Sequence, residues 1–194
     1  MNTLKAEKRS MDTKAKRLRR EGYVTGNVFG KKIEGSIPVK MERTAVERLL
    51  KTSYKGSRIT LEVDGTPMDV LIKEVDYDNL KRQINEVDFQ ALVSGEKVHS
   101  VAEIHLLNQG KVTTGIVEQV LHELSFKALP SALVEKIEVD VGDLQVGDTI
   151  KVKDLPVYSN PDVDVLTDAD TTVVTVGEVH AEPEDEPDTE AKTE

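Results

Sequence analysis

The residues of this chain with the clearest chemical meaning are the cations of its first twenty positions. Eight basic side chains stand there against two acidic ones, so the local charge is 8 − 2 = +6. The basic residues are Lys5, Lys8, Arg9, Lys14, Lys16, Arg17, Arg19 and Arg20. Cations at this density hold a positive field that attracts polyphosphates, which predicts contact with a nucleic-acid backbone. The alternative interpretation is an ordinary solvated face.

This positive segment stands out because the chain as a whole is acidic. Its 194 residues include 26 basic and 36 acidic ones, a net charge of −10. Residues 1–90 hold 19 basic and 14 acidic side chains (+5), and residues 91–194 hold 7 and 22 (−15). A change of this size halfway along the chain favours two domains. We expect the domains to span 1–92 and 93–180, with a soft boundary near 92–97.

Several classes of protein are disfavoured by composition. Cysteine is absent, which excludes disulfide frameworks, thiolate nucleophiles and cysteine-based zinc sites and favours a reducing, cytosolic setting. No apolar stretch is long enough to cross a bilayer, so no membrane association is expected. The four histidines, at 99, 105, 122 and 180, show no metal-ligand spacing. We predict no metal, no cofactor and no catalytic residues; an enzyme would need acidic side chains converging with His105 or His122.

The kind of nucleic acid is also restricted by composition. Three Phe, four Tyr and no Trp supply few rings for stacking on bases. No recognition-helix motif is present, so DNA is not expected. The wide, shallow minor groove of A-form RNA suits a sheet face, and RNA is therefore the preferred ligand.

Helix signals are strong at two places in the first half. Asp12, before a Lys/Ala/Leu/Arg run that ends at Gly22, predicts a short helix with Asp12 as its N-cap. An amphipathic pattern over 41–51 predicts a second helix, with Met41 on its apolar face and a capping box between Thr44 and Glu47. Between them, glycines four residues apart over 22–30 indicate a strand with close backbone approaches.

The rest of the chain is typical of β structure. Alternating residues on either side of Asp64-Gly65 predict a hairpin, and further strands are expected at 84–93, 98–107, 137–141, 149–152 and 171–179. We expect the first sheet to continue into the second half, which is interpreted as antiparallel β, with 116–124 either strand or short helix. Residues 181–194 hold seven acids, one lysine and two prolines, which predicts disorder.

Short segments in a fixed order suggest a family. They are AEKR (6–9), KRLR (16–19), VFG (28–30), EVDFQ (86–90), GIVEQVLHE (115–123), LP (129–130), IEVD (137–140), LQVGDTI (144–150) and DL (154–155). With this order and spacing, the chain resembles the long, two-domain form of bacterial large-subunit ribosomal protein twenty-five. That group includes the general stress protein Ctc and binds 5S ribosomal RNA.

The resemblance implies a small N-terminal β-barrel with a few helices that grips an internal loop of 5S RNA, followed by a C-terminal β domain. It implies phosphate and groove contacts for Arg9, Arg17 and Arg19. Asp88 would accept hydrogen bonds from a base edge or a 2′-hydroxyl. The full set of candidate RNA-binding residues is Arg9, Lys14, Lys16, Arg17, Arg19, Arg20, Phe29, Glu86 and Asp88. The implied partners are 5S RNA and proteins of the large subunit, in a cytoplasmic ribosome.

Three departures from the family pattern keep a second function open. Phe29 stands where relatives carry tyrosine, Glu86 where they carry histidine, and 11–13 where they carry Gly-Lys-Gly. A carboxylate beside phosphates costs about 1–3 kcal/mol if desolvated, unless Lys81 and Arg82 offset it. The leading hypothesis is a structural 5S-RNA-binding protein of the large subunit. The alternative is a divergent, stress-related paralogue with weak or no RNA binding that acts as a protein-interaction module.

Overall fold

The computed structural model describes residues 2–113 and 115–178 of the chain. Strands account for 48% and helices for 13%, which confirms the prediction of a mainly β protein with few helices. Within the described residues, no helix has the length and apolarity needed to cross a membrane. The predicted disorder of 181–194 concerns residues outside this range.

Residues 3–91 form the first group of elements. In chain order they are β1 (Thr3–Lys8), α1 (Ala15–Arg20), β2 (Tyr23–Phe29), β3 (Ser36–Glu42), α2 (Arg43–Leu49), β4 (Arg58–Val63), β5 (Thr66–Asp78) and β6 (Gln83–Ala91). The strands form a closed barrel in the order β1-β3-β2-β6-β5-β4. This confirms the expected barrel.

Two of the strand pairs in this barrel are parallel. Strand β1 pairs with β4, with Leu4 opposite Leu61, and β2 pairs with β6, with Val28 opposite Phe89. All four of these side chains are buried in one apolar core. Every second residue of β4 is buried, as expected for strands whose successive side chains point to opposite faces. Closure removes the exposed edges that would otherwise invite pairing with another chain.

The close backbone approach predicted for 22–30 occurs at Gly26. A Cβ atom there would collide with the backbone carbonyl of Val87 on β6. Only glycine therefore lets β2 lie this close to β6 at that point. The contact brings together the two strands that carry several of the candidate RNA-binding residues.

The second half contains two smaller sheets. Its strands are β7 (Val98–Leu107), β8 (Ile116–Gln119), β9 (Glu123–Ala128), β10 (Lys136–Asp140), β11 (Thr149–Lys151), β12 (Val163–Val165) and β13 (Thr172–Gly177). One sheet has the order β10-β7-β9-β12 and the other β11-β13-β8. A single core that includes Leu124, Phe126 and Val173 joins them. Short 3-10 helices are formed by Gln109–Lys111, Val152–Asp154 and Pro156–Ser159.

The pairing in this half differs from the sequence interpretation in two respects. The barrel sheet does not continue into β7, which pairs instead with β9 and β10. The β7–β10 pair is parallel, whereas the other pairs of the two sheets are antiparallel. The segment 116–124, for which strand and helix were both open, forms β8 and the first residues of β9.

The helix termini also correct the sequence interpretation. Helix α1 begins later than predicted, with Lys14 as its N-cap, because Asp12 is held in the preceding loop by a 2.8 Å hydrogen bond from Ser10 Oγ. Met41 belongs to β3 and points into the barrel core. The N-cap of α2 is Glu42, without a side-chain cap, so the predicted capping box does not form. In both cases the helix begins at a residue other than the one that the local capping signal indicates.

Candidate nucleic-acid interface

The basic segment 9–20 begins where β1 ends. The backbone N–H of Arg9 donates to the carbonyl of Pro38 on β3 at 2.9 Å, so Arg9 continues the pairing of these strands. Its guanidinium Nη2 donates to the carbonyl of Thr13 at 3.0 Å. Arg9 thereby folds the loop 10–14 back toward the barrel, and that loop leads directly into α1.

Helix α1 is oriented by one apolar residue. Leu18 is buried, only 6% exposed, on the barrel side of the helix. At about 100° per residue, Lys16 and Arg20 then project from the opposite side, with Arg17 next to them. Arg17 Nε pairs with Glu21 at 2.8 Å. Among the described residues, Lys14, Lys16 and Arg20 have no side-chain partner, so their charges are available to a ligand.

Arg19 has a different position, between the helix and the sheet. Its Nε donates to the carbonyl of Asn85 on β6 at 3.1 Å. Its own carbonyl accepts a 2.6 Å hydrogen bond from Arg43 Nη2 at the start of α2. Thr25, an outward-facing residue of β2, is buried because α1 lies over it. Arg19 thus joins α1 to β6 and α2, and its charge is still partly available to a ligand.

The outer face of β2 and β6 carries the two acidic candidates. Asp88 Oδ1 accepts hydrogen bonds from the backbone N–H of Asn27 at 2.9 Å and from its Nδ2 at 3.2 Å. Glu86 Oε1 accepts from the same Nδ2 at 3.1 Å. All three side chains are half-buried. Asn27 therefore fixes both carboxylates, and Asp88 is left with an oxygen directed to no partner in the described part of the chain.

The neighbouring strand makes this face more acidic. In the β5–β6 register, Asp76 lies opposite Glu86 and Glu74 lies opposite Asp88. Like charges placed directly opposite repel one another. Lys81 does not offset Glu86 as anticipated, because it pairs with Asp78 at the hairpin tip, at 3.2 Å. Hydrogen bonds from the backbone and side chain of Lys81 hold the pKa of Asp78 below its usual value.

Helix α1 and the carboxylates share one side of the barrel, whereas Arg9 lies at the end of β1. Arg9 binds Pro38, Pro38 is in register with Asn27, and Asn27 binds Asp88. Arg9 therefore lies three strands from Asp88 around the six-stranded barrel, the largest separation that this ring of strands allows. Arg19 reaches β6 at Asn85, three residues before Asp88. Arg19 and Asp88 therefore lie on a common surface, and Arg9 holds the loop that leads into α1.

The remaining candidates lie around this surface. Lys14, Lys16, Arg17 and Arg20 stand on α1 and just before it, facing away from the sheet. Phe29 is half-buried at the far end of β2, about 20 Å from the end next to α1. A ligand that contacts both α1 and Phe29 must therefore run along the length of β2.

Sequence reasoning missed Asn27, which organises the acidic pair. Its position, two residues from Phe29 on an alternating strand, places it on the same face and was the available signal. It also missed the exposed hairpin tip after β5, where Leu80 is 98% exposed. For metals, no group of three or more potential ligands occurs among the residues described.

The arrangement suits a folded, hydrogen-bonding polyanion. Cations around a sheet can contact phosphates, while fixed carboxylate oxygens accept hydrogen bonds from base amino groups or 2′-hydroxyls. Sequence comparison gives the class of protein. Residues 4–89 match the Ribosomal L25p family, and residues 97–180 match the C-terminal domain of ribosomal protein TL5.

Individual relatives extend this match over most of the chain. The large ribosomal subunit protein bL25 of Caldanaerobacter subterraneus subsp. tengcongensis is 35% identical over 177 residues, 90% of this chain and 88% of the relative. The protein of that name from Listeria monocytogenes is 32% identical over 186 residues, 94% of this chain and 88% of the relative. The chain belongs to the bL25 family of bacterial large-subunit ribosomal proteins. This family is structural and not enzymatic, and its location is ribosomal and cytoplasmic.

Proposed function

We propose that this chain binds 5S ribosomal RNA within the large subunit, through the segment 9–20 and the outer face of β2 and β6. The observation that carries the proposal is the shared surface of Arg19 and Asp88, bordered by cations that have no partner within the described residues. Family membership supports a ribosomal RNA as the ligand. Proteins of the large subunit are the further partners that we propose.

Binding would proceed by electrostatic capture followed by docking. Lys14, Lys16 and Arg20 are exposed, and long-range attraction by such charges accelerates the encounter with a polyanion. The ties of Arg19 to Asn85 and Arg43 fix the position of α1 before the RNA arrives. Asp88, already held by Asn27, then offers an ordered acceptor. Because α1 and Asp88 are positioned in advance, the ordering cost of binding falls mainly on the exposed lysine and arginine side chains.

Glu86 would weaken this interface without abolishing it. Its carboxylate adds a negative charge next to Asp88 and opposite Asp76. The hydrogen bond from Asn27 stabilises that charge, but Asn27 is neutral and does not cancel its field. Phosphates would therefore avoid the centre of the sheet and pass on the α1 side, where the cations lie.

We also propose that the RNA-binding domain ends near residue 92 and that a second domain spans 93–180. The change of sheet between β6 and β7 supports this boundary, since β6 completes the barrel and β7 belongs to another sheet. The two apolar cores contain different residues and divide at the same place.

A salt titration of the full chain against 5S RNA tests the main proposal. If about six phosphates are contacted, the affinity should fall by about three decades between 50 and 200 mM salt. A structured RNA of equal length but different sequence serves as the control for non-specific attraction. Negligible binding to 5S RNA at both salt concentrations would remove the proposal.

One observation favours the alternative of a protein-interaction module. The β5–β6 face carries Glu74, Asp76, Glu86 and Asp88, and residues 91–194 have a charge of 7 − 22 = −15. Such surfaces suit a basic protein partner. Sucrose-gradient fractionation separates the two functions, because a subunit protein sediments with the large particle through high salt and an interaction module remains at the top.

A further inference from the structure

A second cationic site lies where the barrel meets the next sheet. It is a cleft of about 630 Å³ between the middle of β5, the end of β6 and the start of β7, with β9 behind it. The basic residues that line it are Lys31, Lys73, Lys97, His99 and Lys127. One acidic residue, Glu96, also lines the cleft. None of the predicted RNA-binding residues belongs to this group.

Two of the four lysines are not neutralised by a carboxylate. Lys31 pairs with Glu96, and Lys97 pairs with Asp164 at 2.6 Å. Lys73 Nζ donates to the backbone carbonyl of His99 at 3.0 Å. Lys127 makes no side-chain hydrogen bond or ion pair with any residue that the structure describes. The cleft therefore has a net positive charge.

The strand register places these groups side by side. His99 on β7 is opposite Lys127 on β9, and Lys127 is opposite Asp164 on β12. Directly opposed residues have Cβ atoms about 5 Å apart. Lys97 reaches across to Asp164, so Lys127 stands between His99 and that ion pair.

The electrostatic consequence is visible in two pKa directions. Burial and the neighbouring charge of Lys55 lower the pKa of Lys73. Burial, with the charges of Lys127 and Lys73, lowers the pKa of His99. Cations that are partly desolvated and close together are stabilised when an anion enters between them.

The cleft also continues the candidate interface. Gln90, which lines the cleft, lies two residues beyond Asp88 on β6, and Lys31 lies two residues beyond Phe29. Two residues along a strand span about 7 Å, close to the distance between successive phosphates of an RNA strand. No Phe, Tyr or Trp side chain of the described residues lines the cleft, so stacked bases are not its natural ligand. Lysine binds phosphate as a point charge, independently of sequence.

We propose that this cleft binds backbone phosphates of the same RNA strand that lies along β2 and β6, so that Lys73 and Lys127 form a second, sequence-independent contact. The assignment rests on the proposed function. It means that the second half of the chain contributes directly to RNA affinity through β9. An acidic polypeptide is the competing ligand for such a cleft, and the test below separates it from RNA.

The test compares Lys127→Gln with Lys111→Gln in the full chain. Both changes remove one positive charge from the second half, but Lys111 lies beyond the opposite end of β7, about 30 Å from His99. At 150 mM salt, Lys127→Gln should reduce the affinity for 5S RNA about three- to tenfold. It should also reduce the slope of log affinity against log salt by about 1, the loss of one phosphate contact. Lys111→Gln should change neither quantity.

A double variant, Lys73→Gln with Lys127→Gln, should increase both effects, with thermal unfolding as the check on folding. Equal affinities and slopes for Lys127→Gln and Lys111→Gln would overturn the cleft proposal, and this is also the result if the cleft takes an acidic polypeptide. Failure of the proposed function gives a different pattern. Then either the unaltered chain does not bind 5S RNA, or Arg17→Glu leaves binding unchanged while Lys127→Gln weakens it.

Discussion

The two cationic surfaces of this protein are built in opposite ways. In the segment 9–20 the cations lie close together in the chain, and most project into solvent from a short helix or the residue before it. In the cleft they come from β5, β9 and the connections between strands, and they are partly enclosed. Exposed charges act at long range and are screened by salt, whereas enclosed charges act mainly on a ligand already in place. The first surface suits capture and the second suits alignment.

A row of carboxylates separates these surfaces. Glu74, Asp76, Glu86 and Asp88 occupy the face of β5 and β6 between α1 and the cleft. A phosphate backbone would be attracted at α1 and at the cleft and repelled by the carboxylates between them. Those carboxylates can bind only groups that donate hydrogen bonds. On the proposed function, this charge pattern sets the direction of the RNA as well as its affinity.

The largest expected effect on RNA affinity comes from reversing two positive charges in the segment 9–20. Arg17→Glu combined with Arg20→Glu should reduce the affinity for 5S RNA at least about 100-fold at 150 mM salt, because two contacts are lost and two repulsions are gained. Fluorescence anisotropy with labelled RNA measures it. Arg48→Glu, an exposed position on α2, is the single-reversal control for net charge.

The double reversal should leave the fold intact, since Leu18 supplies the buried contact of α1. Circular dichroism and the unfolding temperature check this. A loss of less than threefold in affinity, with the fold preserved, would show that α1 does not face the RNA. The segment 9–20 would then not be the main RNA-binding surface.

A smaller effect is expected at the carboxylate row. Glu86→His should raise the affinity about three- to tenfold, because it removes a negative charge beside Asp88 and opposite Asp76. Glu86→Gln separates the two causes, since it removes the charge without supplying an imidazole. Equal gains for both variants would attribute the effect to charge alone. Unchanged affinity in both would place Glu86 outside the interface.

The smallest expected effect is a pH dependence of the stability of the folded chain, caused by His99 in the cleft. The pKa of His99 is lowered in the folded chain, so below about pH 6.5 the unfolded state binds more protons and stability falls as the pH falls toward the folded pKa. Lys73, Lys97, Lys127 and Glu96 are the charged groups around it. His99→Gln should flatten this dependence, measured as the unfolding temperature at pH 5.5 and 7.5.

Bound phosphate should reverse the direction of the pKa shift of His99. A phosphate in the cleft favours the imidazolium, so RNA should raise the pKa of His99 and the affinity should increase as the pH falls below about 6.5. Nuclear magnetic resonance titration of the His99 ring with and without RNA gives a direct reading. An unchanged pKa of His99 in the complex would show that no phosphate enters the cleft and that the RNA contacts only the first surface.

Much of the local structure could be predicted because its signals are local. The hairpin around Asp64-Gly65 forms as predicted, with positive φ at both turn residues, the backbone that this pair of residues adopts readily. The strand at 98–107 has the predicted bounds. Asp12 failed as an N-cap because Ser10 holds it in the loop, a competition between neighbours that a capping pattern does not weigh.

The candidate site was predictable in part for the same reason. Arg9, Arg17 and Arg19 could be singled out because they are clustered in sequence. Asn27 had only its place on the same face as Phe29 as a signal, since its importance comes from Asp88, 61 residues away. The expected help of Lys81 toward Glu86 failed because the turn after β5 directs Lys81 to Asp78.

The sequence by itself determined that this is a mainly β protein with a cationic first segment and an acidic remainder, because alternation and local charge are properties of neighbouring residues. Only the tertiary structure decided which strands meet, including the parallel closure of β1 on β4 and the pairing of β7 with β10. It also decided that Lys73 and Lys127, 54 positions apart, share a cleft. Such contacts depend on the packing of distant segments, and no local pattern encodes them.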